Sequence, residues 1–187
     1  MTLINAQHLA PALGFFEPQR TFSWVLEIGL DDVGDQILIM QSLESFGAPK
    51  ESNETIELHH GNEVRKVAGK VSFEDITLVL KDFVDSKTAQ AVAKWRRLVY
   101  NPETGSVGLA RDYKKSADLI MFAPDLSSAR VWKLFGVWPK DVDYGTLDMT
   151  SSDKVTLSLT LSIDRVMPGF AIAIPAGINQ GMSQLPI

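Results

Sequence analysis

Apolar residues recur at every second position along most of the chain, the spacing that lays one face of an extended strand on a core. Phe22, Trp24, Leu26, Ile28 and Leu30 alternate with Thr21, Ser23, Val25, Glu27 and Gly29, which predicts a first strand. Gln36 to Leu43 holds the apolar run Ile37, Leu38, Ile39, Met40 and leads to the breakers Gly47 and Pro49, so a second strand ending in a polar loop is expected. Thr55 to His59 alternates through Ile56 and Leu58, then meets the turn signal His60-Gly61-Asn62. Val71 and Phe73 share one parity, whereas Ile76, Leu78 and Leu80 share the other. A change of parity reverses the buried face, so a bulge or short loop is expected near Glu74 and Asp75.

Strands resume at Ala117 to Phe122 and Arg130 to Trp138, divided by a loop through Pro124 and Asp125. The second has apolar residues on both parities, Trp132 and Leu134 against Val131, Phe135 and Val137, which predicts burial on both faces. From Lys154 to Asp164, Val155, Leu157, Leu159, Leu161 and Ile163 alternate without a fault with Thr156, Ser158, Thr160 and Ser162. The hydroxyl face of this strand reads either as surface in water or as a face packed on a neighbouring chain.

One segment follows a helical period. Ser86 to Tyr100 is rich in helix formers, and Val92, Trp95 and Val99 return on one face, with Asp85 or Ser86 placed to cap its start and Pro102 to stop it. Its basic group, Lys94, Arg96 and Arg97, is either a solvated face or a patch that pairs with an acidic loop of a neighbouring subunit. The organisation that follows is an N-terminal arm over 1–20, a β domain over 21–166 and a C-terminal arm over 167–187. No charged residue occurs after Arg165. Phe15 and Phe16 in the first arm and Phe170 in the second are costly to leave in water, so the arms either fold back or become ordered on other copies.

Composition narrows the functions. The 187 residues carry a formal net charge of −5, the wrong sign for gripping phosphate backbones. No stretch approaches the roughly 20 apolar residues needed to span a bilayer, and residues 1–20 do not read as a signal peptide, so no membrane anchoring is expected. The absence of cysteine removes thiol nucleophiles and thiolate metal sites. Of three histidines, His59 and His60 are adjacent and therefore point to opposite faces of a strand, and His8 lies alone in the arm. Asp141, Asp143 and Gly145 open like a calcium loop, but Ser152 stands where the bidentate Glu belongs. Asp31, Asp32 and Asp35 around Gly34 read as an exposed acidic loop. With no phosphate loop, dinucleotide fingerprint, zinc-protease helix or nucleophile elbow, no catalytic residue, metal or cofactor is expected, and the chain is not read as an enzyme.

Taken in order, FSWVLEIGLDD at 22–32, IELHHGNEVRKVAGKVSFEDITLVLKD at 56–82, WRRLVYNPETG at 95–105, RVWKLFGVWPKDV and VTLSLTLSIDRV resemble the tail tube protein family of contractile phage tails. That family is related in fold to tube proteins of extracellular contractile injection systems and of type VI secretion. The resemblance implies a mainly β protein, an antiparallel barrel or sandwich with one flanking helix, assembling into hexameric rings that stack as the inner tube of a tail. It further implies partnership with a tail sheath, baseplate or tail-tip and terminator proteins and a tape measure protein. DNA would pass through the lumen without specific binding, in a virion tail assembled in the host bacterial cytoplasm. Phe15, Phe16, Arg96, Arg97, Thr156, Ser158, Thr160 and Phe170 are the candidate contacts between subunits. A monomeric β-barrel binding a small ligand is the rival expectation.

Overall fold

The computed structural model describes residues 19–123, 128–150 and 152–170. Phe15, Phe16, His8 and the rest of the first arm to residue 18, the 124–127 loop and the second arm from 171 lie outside the described residues. The strands are β1 (Trp24–Ile28), β2 (Leu43–Phe46), β3 (Glu51–His60), β4 (Glu63–Phe73), β5 (Ile76–Lys81), β6 (Tyr100–Asn101), β7 (Ser106–Val107), β8 (Lys115–Phe122), β9 (Ser128–Asp143), β10 (Thr156–Ser162) and β11 (Arg165–Phe170). The helices are α1 (Val33–Ser42), α2 (Lys87–Val99) and the short α3 (Ala110–Tyr113).

All strand pairs are antiparallel, and the main path runs β1-β8-β9-β10-β5-β2 with β11 also on β9. β9 is 16 residues long and belongs to two sheets. Its first part pairs with β8 and β11, its last part with β10. The path ends on β1 and β2 without rejoining, so the expected barrel is not closed and two antiparallel sheets meet through β9 instead. Among the described strands β11 occupies an edge, where Pro168, opposite Trp132 and lacking a backbone N–H, is tolerated.

The alternating segment at 156–162 forms the centre of the core. Leu159 stands opposite Leu78 of β5 and Val142 of β9, and Leu157 and Leu161 are buried on either side of it. Leu26, Ile28, Ala117, Leu119 and Leu134 join the same cluster from the other sheet, and α2 adds Ala91, Val92 and Trp95. The Trp95 indole N–H donates to the Tyr113 carbonyl at 2.9 Å, so burying the ring strands no polar atom. The parity change near Glu74 and Asp75 is present as the break between β4 and β5. The predicted helix is present at Lys87–Val99, but Ser86, at φ 53°, makes no side-chain cap; Asp85 accepts weakly from the Lys87 N–H at 3.4 Å.

Two expectations are corrected. Residues 36–42 are helical, not extended, because the chain enters α1 through a cap: the Asp32 carboxylate accepts from the Gly34 N–H at 2.8 Å. Ile39 and Ser42 then face inward, and the Ser42 hydroxyl meets that of Thr88 at 2.9 Å, tying α1 to α2. The helix expected to stand alone is therefore one of three among the described residues. Nor is β9 buried on both faces along its length. Its inward parity switches at Gly136, whose φ is +68°, so that Leu134 and Val137, three positions apart, are both buried while Phe135 stays 39% exposed. A Cβ at Gly136 would strike the Asp164 carboxylate, which Lys114 holds at 2.7 Å.

Candidate subunit interface

The segment Glu51–Phe73 projects as a two-stranded ribbon. β3 and β4 pair only with each other, and every residue of β3 is exposed. Gly61, at φ +60°, and Asn62 make the two-residue turn, a position that needs the left-handed region open to glycine. Register sorts the side chains: Ile56 faces Val67 and Leu58 faces Arg65, while Glu57 faces Lys66 and His59 faces Val64. Ile56, Leu58, Arg65 and Val67 thus share one face. Val64 lies on the other with the Glu57–Lys66 ion pair of 3.4 Å. The pairing slips between Asn53 and Thr55, where Gly69 lets the strands close in; a Cβ there would meet the Glu54 carbonyl oxygen at 3.0 Å. An isolated two-stranded ribbon is marginal in water, and this one leaves Ile56, Leu58, Val64, Val67 and Val71 roughly half exposed. His59 and His60 end β3 on opposite faces, and among the described residues no group of acidic or histidine side chains is placed to hold a metal.

A second surface lies between α1 and α2. Leu30, Val33, Trp95 and Leu98 line a cleft of ≈ 490 Å³ whose mouth carries Asp31, Asp32, Asp35, Lys94 and Lys115. The expected acidic loop is the head of a helix: Asp32 is the α1 cap and Asp35 stands in its first turn. Lys94 bridges Asp32 at 3.0 Å and Asp35 at 2.7 Å, and Lys115, its side chain only 10% exposed, reaches Asp31 at 2.7 Å. Lys94 therefore pairs inside its own chain. Arg97 is exposed and Arg96 half-buried, and neither side chain has an ion-pair partner among the described residues.

The hydrogen bond from Lys94, helped by the Gly34 N–H, holds the Asp32 carboxyl below its ordinary range, and Asp35 and Asp32 push Lys94 up. A lowered carboxyl contributes stability that is complete above its unfolded value and lost as the pH falls through the folded one. The α1–α2 contact is accordingly expected to loosen below about pH 4. Hydrogen exchange should show α1 amides losing protection there before those of β10 do.

Thr156, Ser158 and Thr160 sit half-buried on the outward face of β10, a strand paired on both sides. Thr77 and Asp141 flank Thr160, Val79 and Asp143 flank Ser158, and Lys81 lies beside Thr156. The hydroxyls form an uncharged strip with carboxylates along one margin. Phe170 closes β11, its backbone opposite Arg130. Sequence did not single out the ribbon or the α1–α2 cleft as candidate contact surfaces; the turn signal at Gly61-Asn62, flanked by two alternating runs, was the clue to the first.

No curated protein sequence matches the chain. Solved structures do, at identities that speak to fold alone. The anti-feeding prophage cap, which terminates its tube, superposes with a TM-score of 0.67 at 19% identity, over 84% of this chain and 94% of the other. A chain of the PVC sheath–tube complex, an extracellular contractile injection system in its extended state, gives 0.64 at 18% identity, over 89% and 98%. The SPP1 tail tube gives 0.54 at 9%, over 83% and 81%. The profile of the T4-like virus tail tube protein gp19 family matches residues 20–167, most of the chain, and the protein belongs to that family.

Proposed function

We propose that copies of this protein form hexameric rings that stack into the rigid inner tube of a contractile tail, through which DNA or another cargo enters a bacterial cell. The observation that carries this reading is the β3–β4 ribbon, a long element with exposed apolar side chains and no partner strand among the described residues. Such an element gains from burial against another copy. Where the surface that receives the ribbon is a different patch of the neighbour, the contact is heterologous, and each copy that accepts one still offers its own. Repetition of a heterologous contact closes into a ring or continues as a filament. The edges of β1, β2 and β11 that have no partner strand among the described residues add further backbone groups that neighbouring subunits can pair.

The net charge of −5 suits a bore that DNA traverses without sticking, since few cations are left to pair with phosphates. The work is mechanical rather than catalytic. The solved relatives come from a sheath–tube complex, a tube cap and a baseplate, which supports a sheath, a terminator and a baseplate as partners here, with a tape measure protein setting length. Assembly would take place in the host cytoplasm and end in a virion tail or a related particle. Among the described residues the unclosed sheets offer no enclosed barrel interior, which weighs against a monomeric ligand carrier.

Cryo-electron microscopy of the concentrated full chain tests this. Six-fold rings and stacks of them are expected. Isolated protomers at every concentration would overturn the reading.

A further inference from the structure

Two exposed surfaces on one copy complement each other. The first is the ribbon face with Ile56, Leu58 and Val67, whose exposures are 50%, 52% and 44%. Arg65 is the Lys or Arg that the register places on this face between Ile56 and the tip, and it has no ion-pair partner among the described residues. Glu63 and His60 close the same face at the turn. The second surface is the α1–α2 cleft, with Val33 66% and Leu98 38% exposed and Leu30 and Trp95 also in its lining.

The charges of the two surfaces are also complementary. Three carboxylates, Asp31, Asp32 and Asp35, surround the cleft against two ammonium groups, Lys94 and Lys115, which leaves one negative charge. Asp31 is 77% exposed although Lys115 holds it from below, and Asp32 keeps half of its side chain in solvent, so both oxygens can accept from outside. A single guanidinium entering from a neighbour balances the site. Arginine suits this place because its planar fork can serve two acceptors at once.

We propose that the Ile56–Leu58–Arg65–Val67 face of the ribbon seats in the α1–α2 cleft of a second copy, with Arg65 on the Asp31 and Asp32 carboxylates. This deepens the tube reading and rests on it, by naming the surface that receives the ribbon. The apolar residues supply burial. The ion pair, desolvated only once the ribbon is seated, selects the register. Since the cleft and the ribbon are distinct patches, the contact repeats without using itself up.

The absence of cysteine makes a clean test. Leu58→Cys and Val33→Cys are prepared as separate full-length proteins, mixed under assembling conditions and treated with a short bismaleimide. A cross-linked L58C–V33C pair is expected. A control pairing of L58C with Val84→Cys, a fully exposed site on a different loop, should give none. In parallel, Arg65→Glu is expected to raise the concentration needed for assembly at least tenfold, and Arg65→Lys to raise it less. Rings or tubes that form without the L58C–V33C product, equal cross-linking of the V84C control, L58C joined only to itself, or R65E assembling as the parent does would each overturn the docking while leaving the tube reading intact. A parent protein that never assembles removes both.

Discussion

Leu159→Ala is expected to lower the stability of the folded chain by about 3 kcal/mol, within the range for emptying a closed core site. Leu159 is fully buried at the middle of β10, a strand paired on both sides, where backbone hydrogen bonds keep the walls from collapsing into the space left behind. For a domain of this size such a loss corresponds to a fall in Tm of about 6 to 12 °C. Urea denaturation followed by tryptophan fluorescence should show a lower midpoint with an unchanged slope. A variant within about 0.5 kcal/mol of the parent would mean that the site relaxes freely and that β10 is not the centre of the core.

Removing the outer ribbon is expected to do the opposite, leaving the fold intact and abolishing assembly. Thr55 and Ala68 are cross-strand partners, so joining them through Asn-Gly deletes residues 56–67 and closes a shorter hairpin with a two-residue turn. None of the deleted residues belongs to the core cluster. The thermal transition should therefore stay within a few degrees of the parent's. Sedimentation velocity should show only protomers at concentrations where the full chain forms rings. Rings made by the shortened chain would place the subunit contacts elsewhere.

The strands that could be read from sequence were those with one wet face. At 156–162 and 24–28 alternation is unbroken because one side meets the core and the other does not. Periodicity failed at α1, where Ile37 to Met40 is a continuous apolar run that fits a strand or a buried helix equally. The usable signal there was local: Asp32 followed by Asp35 at the third helical position, the pattern of a helix start. β9 misled for a related reason. One glycine at positive φ exchanges its faces midway, so two half-strands of opposite parity look like one strand buried on both sides.

The candidate contact surfaces were harder to see. The ribbon's alternation was legible, but nothing local distinguishes a strand that covers its own core from one held out into solvent. The cleft depends on Leu30, Trp95 and Lys115, which are brought together only by the tertiary fold. Arg97 is an exposed cation and Arg96 a half-buried one, whereas Lys94, on the same helix, is occupied by α1.

β9 carries a mechanical consequence. Because a single continuous strand is zipped to β8 and β11 over one stretch and to β10 over the next, a pull on either sheet passes directly along the covalent backbone into the other. The halves cannot slide past one another like plates in a stack. Peeling one apart must strain the bonds of both, so a load on one sheet is shared with the other and should be yielded to in one step rather than in stages.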